Sequence, residues 1–214
     1  MIQEYKMFIN GEWVNSSSNK KIETLNPENN KVWASVPEAN DQDVDFAVQS
    51  AQKAFDSSWS QLHPRERAKY LRLIANALRE NAEHLGKIET IDTGKLFRET
   101  KTQANYIAEY YDYFAGLADK VEGTVIPIDK EDMQVTTTRV PIGVVAAIIP
   151  WNSQMLLTAV KLAPALAMGN TVVIKASELA PVTLLEFAKL IEKTGMPKGA
   201  VSYTHLTLPT ILRV

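Results

Sequence analysis

The chain contains no cysteine among its 214 residues. That excludes disulfides, thiolate metal sites and a cysteine nucleophile within it. Histidine is almost as scarce: His63, His84 and His205 lie far apart, without the short spacing that pairs two imidazoles on a metal. Charge of one sign is lacking too, with 23 basic against 25 acidic residues and a formal net charge of -2. No general field therefore attracts nucleic acid or an anionic membrane. No stretch approaches the roughly 20 apolar residues of a membrane span. The opening Met1-Ile-Gln-Glu-Tyr-Lys6 lacks the basic-then-apolar layout of a secretory signal. Cytoplasmic placement, with neither membrane nor nucleic acid as partner, is the expectation. There is no G-x-G-x-x-G, and Gly94-Lys95 lacks the upstream glycine spacing of a phosphate loop.

What is present suits a globular chain with a sizeable core: 45% of residues are hydrophobic and 22% charged. KMFINGEWV (Lys6 to Val14) alternates around Asn10-Gly11, which predicts a hairpin. Ser16 to Asn19 reads as a loop, and Lys21 to Leu25 as a strand. Asp41 or Asp43 opens a helix with the stripe Val44, Ala47, Val48, Ala51 and Phe55. Pro64 starts a second helix whose buried face is Ala68, Leu71, Ile74, Ala75 and Leu78. Helical patterns follow over Ala82 to Asp92 and Phe97 to Asp119. The tyrosines at 106, 110, 111 and 113 recur at helical spacing and read as packing.

After Val121 the texture changes. Gly123 to Pro127 and Met133 to Val140 look extended. Val144 to Ile149 is apolar on every side, as befits a parallel strand covered on both faces. A helix from about Ser153 to Met168 contains Pro164, which predicts a kink or break near Leu162. Thr171 to Ile174 is a second apolar strand, and Pro181 starts a further helix ending near Thr194-Gly195. Strand–helix–strand–helix with short links is the beginning of a doubly wound α/β domain. Ligands of such sheets bind beyond the carboxyl ends of the strands. The loops there are Pro150-Trp151-Asn152 and Lys175-Ala176-Ser177-Glu178. On residue preferences alone Asn152 is a helix cap, and Lys175 and Glu178 are a solvated surface pair.

The stretch from Pro141 to Gly199, together with FINGEW (Phe8 to Trp13), Asn26-Pro27 and DTGK (Asp92 to Lys95), resembles NAD(P)-dependent aldehyde dehydrogenases in order and spacing. The resemblance implies the N-terminal portion of that fold: a Rossmann-like parallel sheet with flanking helices and a β-hairpin oligomerisation arm. It makes residues 1–120 and 141–201 parts of the cofactor-binding domain and 121–140 the arm. It implies oxidation of a small-molecule aldehyde to a carboxylic acid, NAD as cofactor with NADP possible, and a homodimeric or homotetrameric parent. Asn152 would be the oxyanion-hole amide. Lys175 and Glu178 would meet the adenosine ribose, where an acidic residue favours NAD by repelling a 2′-phosphate, and Ser177 would be a further cofactor-binding residue. Ile148, Ile149, Pro150, Trp151 and Asn152 would line the nicotinamide side, although Ile148 and Ile149 serve core packing equally well.

The sequence departs from the family pattern in three respects. The cysteine nucleophile, the glutamate general base with its Glu-Leu-Gly-Gly surroundings, and the pyrophosphate-binding glycine turn all belong C-terminal to what is present. The tail from Ser202 to Val214 is unlike the family and is expected to be non-native. This chain alone is expected to be inactive, with Val144 to Ile149 left near an open sheet edge. A noncatalytic nucleotide-binding relative is the alternative. Ser153-Gln154-Met155 stands where Phe-Pro often follows the asparagine.

Overall fold

A computed structural model describes residues 2–205. The first half runs through five short strands and four helices. The strands are β1 (Gln3–Glu4), β2 (Met7–Ile9), β3 (Glu12–Val14), β4 (Lys21–Asn26) and β5 (Lys31–Pro37). Then come α1 (Asp41–Ala54), a π-helical turn at Phe55–Trp59, α2 (Pro64–Glu80), α3 (Ala82–Thr93) and α4 (Phe97–Leu117). The second half holds β6 (Val125–Ile126), β7 (Val135–Thr136), β8 (Val144–Ile148), α5 (Gln154–Ala167), β9 (Thr171–Lys175), α6 (Val182–Lys193) and β10 (Val201–Thr204).

The main sheet has the order β3-β2-β10-β9-β8. Its β8, β9 and β10 are mutually parallel, and β2 runs antiparallel to β10. The β2–β3 hairpin turns on Asn10 (φ 55°) and Gly11 (φ 71°), the two left-handed residues that a two-residue hairpin requires. A second sheet has the order β1-β5-β4, and β6 and β7 form a separate two-stranded arm. The sequence pattern did not disclose β5, because Lys31–Pro37 begins polar and lacks a sustained alternation.

Alternation along β9 divides the core in two. Val172 and Ile174 join α2, α4, α5 and α6 in the larger cluster, while Val173 faces Ala47 and Ala51 of α1. All five residues expected on the buried face of α2 are buried. The stripe expected on α1 needs correction. Ala47, Ala51 and Ala54 are buried, but Val48 is 41% exposed. The small-residue face wins because the chain approaches too closely for larger groups: a Cβ on Gly199 (φ +83°) would lie 2.5 Å from the Ser50 carbonyl. Nor does Pro164 break α5, which runs as one helix from Gln154 to Ala167. The proline sits one turn from the C-terminal end, and Leu162, Ala163, Leu166 and Ala167 are all buried around it.

Ser202–Thr204 continue β10 between β9 and β2, fully buried. Residues 206–214 of the tail lie outside the described residues. Strand β8 is at the sheet edge, and it is not covered on both faces either: Ala146 and Ile148, on one face, are exposed, while Ala147 on the other is buried. An unprotected apolar edge templates pairing with other chains. The 214-residue chain is therefore expected to scatter light at micromolar concentration, and Ala146→Lys to raise its soluble fraction. A clear solution of a cooperatively melting monomer would contradict this.

Candidate functional site

Strands β8 and β9 pair in register with Ile148 opposite Lys175, and the Ile149 amide donates to the Lys175 carbonyl at 2.9 Å. The two loops singled out by the sequence therefore leave neighbouring strands side by side, at their carboxyl ends. Ile149 is buried in the core, whereas Ile148, Pro150, Trp151 and Asn152 are exposed. Two apolar side chains, Ile148 and Trp151, stand more than half exposed there, at 55% and 54%. Lys175 Nζ lies 3.2 Å from Glu178 Oε2. Burial opposes ionisation of Glu178, but its own backbone amide and Lys175 outweigh that and hold the carboxyl below its ordinary range. Ser177 is buried, and its hydroxyl oxygen accepts from the Leu179 amide at 3.3 Å.

Asn152 does not cap α5. Ser153 occupies the N-cap position, and it lacks a side-chain bond to the helix backbone. Its hydroxyl is taken instead by Lys95 Nζ at 2.7 Å and Gln103 Nε2 at 3.3 Å. Among the described residues, Ser153 is the only member of the turn 151–153 whose side chain is hydrogen-bonded. The Asn152 amide therefore projects from the sheet edge with its donors uncommitted.

Three remote side chains fix the β9–α6 loop that carries Glu178. Asp92 Oδ2 accepts from the Val182 and Thr183 amides at 2.9 and 3.0 Å and from the Thr183 hydroxyl at 3.1 Å. Gln154 Nε2 donates to the Ala180 carbonyl at 2.5 Å, and the Tyr203 hydroxyl to the Pro181 carbonyl at 2.8 Å. Asp92 thus satisfies the first amides of α6 from another helix. Burial pushes its carboxyl up to about 7, against the bonds from Thr183 and Val182, and the nearby Glu89 carboxylate adds to the rise. Sequence reasoning found the DTGK stretch but gave it no task. No local pattern marks a cap supplied from 90 positions away.

A carboxylate kept ionised beside a lysine could accept from ribose hydroxyls, and exposed apolar side chains could cover a flat ring. Among the described residues no group of three or more His, Cys, Asp or Glu side chains could hold a metal. No helix among them is long and apolar enough to cross a membrane.

Comparison with known proteins gives the same direction. Residues 13–210 match the aldehyde dehydrogenase family. The chain is 51% identical over 202 residues to (Z)-2-((N-methylformamido)methylene)-5-hydroxybutyrolactone dehydrogenase of Acinetobacter baylyi, covering 94% of this chain and 41% of that protein. It is 40% identical over 197 residues to betaine aldehyde dehydrogenase of Bacillus subtilis, covering 92% of this chain and 40% of that protein. Crystal structures of Staphylococcus aureus betaine aldehyde dehydrogenase in complex with NAD+ superpose with a TM-score of 0.91 at 37% identity, over 94% of this chain and 40% of that one. An aldehyde dehydrogenase from Bacillus cereus gives a TM-score of 0.93 at 38% identity, over 96% of this chain and 42% of that one. The chain spans about two-fifths of the length of these relatives.

Proposed function

The chain belongs to the aldehyde dehydrogenase family, and from that membership we propose that the protein carrying it oxidises an aldehyde to a carboxylic acid with NAD+. One observation carries the proposal: the uncommitted Asn152 amide and the Lys175–Glu178 pair stand at the ends of adjacent parallel strands. That neighbourhood supports reading Asn152 as an oxyanion donor and Glu178 as a ribose-binding carboxylate. NAD+, when bound, supplies the hydride acceptor. Lys175 and Glu178 would hold its adenosine ribose, and Ile148 and Trp151 would shield the reacting end from water. Asn152 would donate to the carbonyl oxygen as negative charge builds there, in a site where fixed donors act without reorganisation. The thiolate that this chemistry also needs is not among the 214 residues, which hold no cysteine.

The test is an NAD+-reduction assay over a panel of aldehydes, using protein expressed from the complete reading frame that contains this chain. Aldehyde-dependent formation of NADH supports the proposal. NAD+ binding without any turnover would favour the noncatalytic nucleotide-binding relative, which the lack of cysteine in these residues also suits. We further propose that subunits pair through the β6–β7 arm, where Val125 and Met133 are 66% and 53% exposed. Sedimentation of the same protein as a monomer would contradict that.

The Glu178 carboxylate supports NAD over NADP, because a 2′-phosphate would meet its negative charge. Glu178→Gln is expected to keep much of the NAD+ affinity while narrowing the preference over NADP+ by about tenfold. Dissociation constants for both cofactors check this, and an unchanged ratio would remove Glu178 from cofactor selection.

A further inference from the structure

Lys95 lies in the two-residue link that follows Gly94, outside both strand-end loops. Its backbone is pinned: the Gly94 amide donates to the Thr90 carbonyl at 2.8 Å, and the Lys95 amide to the Thr93 hydroxyl at 3.3 Å. Its side chain is mostly covered, with Nζ 3.4 Å from Glu89 Oε1, and the Glu89 side chain is fully buried. The other oxygen of that carboxylate, Oε2, has no hydrogen-bond partner. A buried carboxylate so sparsely satisfied is costly, and its remaining cation is held in place by it. Lys95 spends its shortest bond, 2.7 Å, on Ser153 Oγ, and Gln103 of α4 flanks the same hydroxyl. Ser153 in turn begins α5, its carbonyl accepting from the Leu157 amide at 2.9 Å.

Resting on the assignment of Asn152 as oxyanion donor, we propose that Lys95, anchored by Glu89, is a positioning residue that sets the direction of the Asn152 amide through the Ser153 hydroxyl. Among the described residues the turn from Trp151 to Ser153 is anchored through the Ser153 side chain alone, by Lys95 at 2.7 Å and more weakly by Gln103 at 3.3 Å. An amide that must meet a developing charge within a few tenths of an ångström needs such a tether. The serine makes the arrangement possible, since an apolar side chain there would offer Lys95 no acceptor.

The test compares Ser153→Ala, Lys95→Met and the hydroxyl-retaining Ser153→Thr in protein from the complete reading frame. It reads amide hydrogen exchange of the peptide spanning 150–154, kcat with an aldehyde, and the NAD+ dissociation constant. Ser153→Ala and Lys95→Met are expected to speed exchange in that peptide about tenfold and lower kcat about tenfold. NAD+ affinity should stay as it was, and Ser153→Thr should recover both readouts. Exchange and kcat unchanged in the first two variants would overturn the proposal. So would a Ser153→Thr variant as impaired as Ser153→Ala, or faster exchange throughout β8 and α5 with loss of NAD+ binding, which marks general packing. An unsubstituted protein without aldehyde activity would overturn the oxyanion assignment, while the exchange of the turn still decides whether Lys95 holds it.

Discussion

Replacing Asn152 with alanine is expected to lower kcat by about 10²–10³ in the protein that carries this chain, leaving the NAD+ dissociation constant unchanged. The size of the effect follows from where the amide acts. Asn152 is exposed, caps no helix and its side chain is hydrogen-bonded to none of the described residues, so its removal costs the fold little. What is lost is a donor that engages fully only when the carbonyl oxygen becomes an anion. Such a loss appears in kcat rather than in binding. Steady-state kinetics of the Asn152→Ala and Asn152→Asp variants distinguish this from a packing role. The aspartate is nearly isosteric but presents negative charge to the oxyanion, so it should be at least as damaging as alanine. An aspartate variant near wild type in kcat would show that shape, not donation, is what the position supplies.

Asp92→Ala is expected to be the most destabilising single change near the site, costing roughly 3 kcal/mol or more and lowering the melting temperature by about 6–12 °C for a chain of this size. It strips one acceptor from two amides and a hydroxyl at once. Val182 and Thr183 are fully buried, so water cannot take the carboxylate's place. Asp92→Asn retains an acceptor oxygen and should cost less. The pH dependence separates the two further. The folded carboxyl titrates at about 7, well above the roughly 3.9 of an unfolded aspartate. Between those values the unfolded chain has released its proton and the folded chain has kept it. The stability from the protonated carboxyl is complete below about pH 4 and is lost as pH rises to 7, by at most about 4 kcal/mol. The unsubstituted protein should therefore lose ground to Asp92→Asn as pH rises from 4 to 7 in thermal melts. A constant difference across that range would mean that the three donors keep Asp92 ionised throughout.

Local chemistry made much of this fold legible. Asn10-Gly11 could hardly be anything but a hairpin, since both residues tolerate positive φ. The α2 face was readable because one strong helical period runs through it, from Ala68 to Leu78. The site loops were legible because two apolar strands had recognisable carboxyl ends. What failed did so for reasons that are not local. The stripe on α1 was misread at Val48 because residues 50 and 199, far apart in sequence, demand close approach. Pro164 did not break α5 because burial of its neighbours outweighs one missing donor. The task of Asp92 depends on a helix that begins 90 residues later, and that of Lys95 on a serine 58 residues away. Each is a pairing that only the folded chain defines.

The edge beyond β8 and β9 is proposed to hold NAD+ through the Lys175–Glu178 pair. The most direct measurement is a calorimetric NAD+ titration of the protein beside its Glu178→Ala and Lys175→Ala variants. Hydrogen bonds to charged groups are worth about 1.5–3 kcal/mol, so each variant should bind NAD+ roughly 10–100-fold more weakly with its fold intact by circular dichroism. Equal affinity in all three proteins would place the cofactor elsewhere and contradict the account.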